Sequence, residues 1–146
     1  SQSGHNALRV AVARAGVRLH RAIETGGHRA SMLAVAEGRA GIAAIDCVTF
    51  EILRRHEPGI AARLRILAES PLAPGLPYIT AAGTDDATLE ALRGALADAV
   101  ADPALGATRE ALCLVGLSVL EDAAYDAVIA LRSEAEAAGQ PPLLEP

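Results

Sequence analysis

The apolar residues of this chain change period several times between residues 3 and 138, and each change predicts an element. Leu8, Val10 and Val12, with Ser3 as N-cap and Gly16 as stop, predict a helix from about Asn6 to Ala15. A second helical piece covers Val17 to Ile23. Met32, Leu33, Val35 and Ala36 fall on one side of the segment His28 to Glu37, and Gly38 closes it, which is the signature of a short amphipathic helix. Ala40 to Ile45 is apolar without interruption, as expected of a strand covered on both faces. Asp46 then caps a helix running to about His56, with Phe50, Ile52 and Leu53 facing inward and Glu57-Pro58-Gly59 ending it.

Beyond this point the period shortens. Leu64 to Ser70 alternates as a strand does, and Pro71, Pro74 and Pro77 hold the following segment extended. Tyr78 to Ala81 predicts one more short strand, after which three helices are expected: Asp86 to Ala101, Thr108 to about Leu117, and Glu121 to Ala138. Gln140 to Pro146 is a tail. Strands and helices alternating in this order predict an α/β fold, with a central sheet flanked by helices and the proline-rich segment as the best internal boundary.

Composition narrows the function classes. The chain has 146 residues, of which 51% are hydrophobic, and a mean hydropathy of +0.28, enough apolar material for a core. With two tyrosines, one phenylalanine and no tryptophan it offers no aromatic stacking surface, and a net charge of −5 with dispersed arginines argues against nucleic acid as a partner. No apolar stretch approaches the roughly 20 residues of a membrane-spanning helix. Cys47 and Cys113 are too few for a disulfide framework and are read as buried small residues. His5, His20, His28 and His56 show no ligand-spaced pair, so no metal and no cofactor is expected.

The residues with chemistry gather at predicted helix starts. A small oxyanion needs several hydrogen-bond donors and a positive potential, and the first turn of a helix supplies both. Ser1 and Ser3 stand at the first start, with Gly4 allowing close backbone approach; His28 and Ser31 stand at the second; Asp46 and Thr49 at the third. As plain structural residues, Ser3 and Asp46 are ordinary helix caps and His28 is a polar residue opening a helix. As a site, His28 and Ser31 lie on one face, one turn apart. Asp46 repels a full anion but accepts a proton from a protonated oxyanion or from a ligand amine, and so discriminates between them. Arg29 is expected to point away and be solvated.

Several ordered blocks carry a family resemblance: Ser1-Gln2-Ser3-Gly4-His5-Asn6-Ala7-Leu8-Arg9, Thr25-Gly26-Gly27-His28-Arg29-Ala30-Ser31, Val35-Ala36-Glu37-Gly38-Arg39-Ala40 with Ala43-Ala44-Ile45-Asp46-Cys47-Val48-Thr49, and Ala73-Pro74-Gly75-Leu76-Pro77-Tyr78-Ile79-Thr80. Together they resemble the periplasmic substrate-binding components of phosphate, phosphite and phosphonate ABC transporters. The resemblance implies a type II periplasmic-binding-protein fold: residues 1–70 form the second, ligand-binding lobe around a central sheet, 71–80 are a hinge and crossover, and 81–146 are C-terminal helices packing on a first lobe whose N-terminal part lies outside this chain. It implies a non-enzymatic, extracytoplasmic receptor for a phosphate-class oxyanion, with Ser1, Ser3, Gly4, His28, Ser31, Asp46 and Thr49 as ligand contacts and a membrane permease as partner. The chain departs from the family pattern at Gly41, where an acidic residue is frequent, at Gly27, which replaces a frequent serine, and around Val17 to Leu19, where aromatics are common.

Two other functions were weighed. A Ser31/His28/Asp46 hydrolase lacks the Gly-x-Ser-x-Gly elbow and places its nucleophile three residues from its base on one helix. Cys47 has no histidine in a cysteine-hydrolase pattern. A ligand-sensing effector domain of a transcription regulator shares the same two-lobed fold and is the alternative reading, distinguished by an upstream DNA-binding helix-turn-helix.

Overall fold

A computed structural model describes residues 2–139. Seven α-helices follow one another: α1 (Gln2–Arg14), α2 (His28–Ala36), α3 (Cys47–His56), α4 (Pro58–Ala61), α5 (Asp86–Ala101), α6 (Gly106–Ala111) and α7 (Asp126–Ala137). Short 3-10 turns at Pro103–Leu105 and Asp122–Tyr125 lead into the last two.

Local chemistry explains where the main helices begin and end. Asp46 and Asp85 each accept a hydrogen bond from the backbone N–H three residues on, Thr49 at 2.8 Å and Thr88 at 2.9 Å, and so start α3 and α5. Gly38 ends α2 in the left-handed region at φ 76°, where the Arg39 N–H reaches back to the Ala34 carbonyl at 2.8 Å. Gly16 ends α1 in the same way. The same stop recurs after α6 with a side chain in place: Cys113 holds φ 55° while the Leu114 N–H bonds the Arg109 carbonyl. Arg54, Arg55 and His56 close α3 on the favourable side of its dipole.

The α/β expectation is corrected by the structure. No strand forms among the described residues, and Ala40–Ile45, Leu64–Ser70 and Tyr78–Ala81, read above as strands, are irregular. A helix closes its hydrogen bonds within itself, whereas a strand exists only as half of a ladder, and none of these segments finds a partner to pair with. The apolar residues of the last two are correspondingly uncovered, Ile66 at 62% and Ile79 at 86% exposure, while those of Ala40–Ile45 are half-buried without pairing. The second helical piece at Val17 to Ile23 is also irregular, and the segment from Thr108 is helical only to Ala111. The predicted tail, Gln140 to Pro146, lies outside the described residues.

The chain divides into two compact units. The first comprises residues 1–73 and 122–146; within it α1 packs along α7, and α2 packs on α3 and α4. Its core is small. Val10 and Val12 of α1, Met32 and Ala34 of α2 and Ala135 of α7 are the buried apolar side chains, with Asn6 and Arg9 of α1 buried beside them. Two ion pairs link elements across this unit: Arg14 to Glu134 at 2.6 Å between α1 and α7, and Arg29 to Glu57, which joins α2 to the corner between α3 and α4. The second unit, residues 74–121, holds α5 and α6. Leu96, Val100, Leu105 and Leu112 line a shallow apolar cleft of about 120 Å3 there.

Candidate functional site

Helix α2 differs from α3 and α5 at its start. Gly27 is its N-cap and has no side chain with which to cap, and there is no acidic residue in its first turn. The Ser31 N–H bonds the Gly27 carbonyl at 2.9 Å, which closes the first helical ring and leaves the N–H groups of the turn before it without intrahelical partners. A Cβ placed on Gly27 would meet nothing within 4 Å, so the approach to this turn is open. His28 occupies the first helical position and is half-buried.

The start of α3 lies close to the start of α2. The Asp46 carboxylate is held below its ordinary range, first by the Thr49 backbone N–H, then by the Thr49 hydroxyl and by the charge of His28. Asp46 therefore stays ionised within electrostatic reach of His28. Its Oδ1 accepts the Thr49 N–H at 2.8 Å, so that N–H is not free.

Ser31, one turn beyond His28, is half-buried and its Oγ lies 2.6 Å from Thr25 Oγ1. Thr25 Oγ1 also lies 3.3 Å from the Gly27 carbonyl oxygen, to which it can donate. The Gly26-Gly27 turn thus folds Thr25 back over the first turn of α2. Thr25 stood inside the sequence block that carries the family resemblance, but helical spacing gives no signal that residues six apart meet across a glycine turn.

Arg29 is exposed, as expected, and it is also paired. Its Nε and Nη2 donate to both oxygens of Glu57 at 2.7 and 2.6 Å, a bidentate pair that lowers the Glu57 pKa and raises that of Arg29. The guanidinium in the first turn of α2 is therefore paired locally, and Glu57, which carried no sequence signal, is the residue that pairs with it.

The first of the three predicted helix starts is placed differently. Ser3 falls inside the first turn of α1 instead of preceding it as N-cap, Gly4 follows within the helix, and Ser1 lies outside the described residues. α1 packs chiefly on α7, while α2 and α3 pack on each other. Of the predicted residues, His28 and Asp46 lie within electrostatic reach of one another and Thr49 bonds Asp46, while Ser31 stands one turn beyond His28 on α2. Among the described residues no group of three or more His, Cys, Asp or Glu side chains is arranged to hold a metal ion, and Cys47 and Cys113 are free thiols, Cys47 exposed rather than buried. Among the described residues no helix is long and apolar enough to cross a membrane.

Residues 1–126 match the family model of ABC-transporter, phosphonate, periplasmic substrate-binding proteins. No curated protein and no solved structure matches the chain. The match spans most of the sequence and includes both helix starts described above, and proteins of this family are receptors, not enzymes, that hand a small ligand to a membrane permease outside the cytoplasm. The chain belongs to the family of periplasmic substrate-binding proteins of phosphonate ABC transporters.

Proposed function

We propose that this protein binds a phosphonate-class oxyanion at the open start of α2, between the first-turn N–H groups, His28, Ser31 and Asp46. The observation that carries the reading is the pairing of an uncapped helix start, bearing His28 at its first position, with the ionised Asp46 at the start of α3. The first supplies donors and the positive end of a helix dipole to a phosphonyl group. The second repels a fully ionised ligand and accepts from a P–OH or from a ligand ammonium group, so it favours a protonated phosphonate or an aminophosphonate over a dianion.

Ser31 adds a hydroxyl on the same face, and Thr49 steadies Asp46. Ser1, Ser3 and Gly4 would complete the cradle from α1. The boundary between the two compact units, at Ala73 and Pro74, falls within the proline-rich segment 71–80 and supports a hinge there. The family match favours transport over the effector domain of a transcription regulator.

Isothermal titration against phosphate, phosphite, methylphosphonate and 2-aminoethylphosphonate tests this directly. The expected result is binding of a phosphonate, weakened at least about tenfold by His28→Ala, the loss of one charge-assisted hydrogen bond. Heat signals absent for all four ligands, or binding indifferent to His28→Ala, would overturn the site.

A further inference from the structure

Helix α1 carries a titratable group that the binding chemistry does not use. His5 is half-buried, and its Nε2 is closed off from solvent with no hydrogen-bond partner. In the neutral imidazole this nitrogen can stay unprotonated, whereas the imidazolium donates from both ring nitrogens and would place a proton and its charge where no acceptor waits. The next turn of the helix adds to the cost. Arg9, four residues on, is only 8% exposed, so the imidazolium would stand one turn from a second cation inside the fold. The charges acting on His5 are Arg9 and the amino terminus, and no carboxylate is among them. On α7, the helix packed along α1, Glu134 is paired with Arg14 and Glu136 with Arg132, and Asp126 does not act on His5. Burial first, then Arg9, accordingly holds His5 below its ordinary 6.5.

We propose that His5 is an acid-sensitive switch in α1: on taking a proton from solvent at Nε2, it drives the face formed by His5, Arg9 and Val12 out of the core of the first unit. Helical spacing puts these three residues on one side of α1, where Val12 is 6% exposed. The core that holds this helix is small, so one charged group buried without an acceptor is enough to shift its opening. Release of the face returns the imidazolium and the guanidinium to water and ends the penalty. Ser3 and Gly4 ride on the same helix, so opening would also withdraw them from the ligand. That consequence rests on the oxyanion-receptor reading above, whereas the opening itself does not.

The test is amide hydrogen exchange without ligand, at about pH 7.5 and about pH 5.5 and corrected for intrinsic rates, on the wild-type protein and the variants His5→Leu and His5→Gln. Both pH values lie above the range in which the carboxylates titrate, so the comparison isolates His5 from them. Protection of the α1 amides in the wild type should fall several-fold at the lower pH, up to about tenfold, the limit for one proton taken up over one pH unit below 6.5. α5, in the second unit, should keep its protection, and α1 in both variants should be equally protected at the two pH values. Unchanged α1 protection in the wild type, an equal loss in the variants, or an equal loss in α5 would overturn the switch. Titration of the His5 ring by NMR in the wild-type protein gives a reading that does not depend on the variants folding. A midpoint below 6.5 is expected, and one at or above 6.5 would overturn the proposal whatever the ligand experiments show.

Discussion

Asp46 does two jobs that a pair of substitutions separates. Its carboxylate caps α3 through the Thr49 N–H, and its charge faces His28. Asp46→Ala removes both and should cost about 1 kcal/mol of stability, the usual value of an N-cap. Asp46→Asn keeps an acceptor oxygen for the cap and should cost only a few tenths of a kcal/mol, while relaxing the preference for protonated or amine-bearing phosphonates. Urea unfolding and ligand titration on the same two variants read the two effects independently. Equal destabilisation by both would mean the charge, not the cap geometry, sustains α3. The role of Asp46 as a cap was legible because an Asp ahead of an apolar-periodic run has a single local meaning. Its nearness to His28 was not, since residues 18 apart meet only through the packing of α2 on α3.

At the scale of elements, stability concentrates in a few contacts. Met32 of α2 is 1% exposed and is the largest fully buried side chain among the described residues. Met32→Ala should cost about 2–5 kcal/mol, by lost transfer energy and the cavity left behind. Arg14→Ala, which breaks the exposed ion pair between α1 and α7, should cost no more than about 1 kcal/mol despite its 2.6 Å contact. Chemical denaturation ranks the two, and a larger loss from Arg14→Ala would contradict the assignment of stability to packing. Helix α2 could be read from sequence because Met32, Leu33, Val35 and Ala36 shared a side and Gly38 supplied a stop. The strands could not be read correctly for the opposite reason. Alternation at Leu64 to Ser70 and the apolar run at Ala40 to Ile45 report burial preference, whereas a strand needs a partner whose presence no local pattern encodes.

Across the whole molecule, carboxylates are held in their ionised form by local donors. Arg54 and Arg55 bring Glu51 from an ordinary 4.5 down to about 2, Arg29 lowers Glu57, and the Thr49 and Thr88 N–H groups lower Asp46 and Asp85. A carboxylate with a depressed folded pKa binds fewer protons than its unfolded counterpart, so its contribution is complete above pH 4.5 and is lost as pH falls toward about 2. His5, held below its ordinary 6.5 by burial and then by the charge of Arg9, makes unfolding stability begin to fall as pH drops below about 6.5, and the carboxylates add a further decline below about 4.5, less steep at high salt because they are exposed. A stability that stays flat through that window would show that these pairs do not contribute. Much of the apolar surface lies outside any core, with Leu72, Leu76 and Val115 nearly fully exposed. The binding chemistry proposed above is confined to one neighbourhood of the first unit, where α2 and α3 begin.

Amide chemical shifts in a two-dimensional NMR titration with methylphosphonate test that confinement most directly. The N–H groups of His28, Arg29 and Ala30 should move furthest and together, because they are the donors that an anion at the start of α2 would engage, with Ser31 and Thr49 following through their hydrogen-bonded neighbours. Shifts centred elsewhere in the chain, with residues 28–30 unmoved at saturation, would contradict the account.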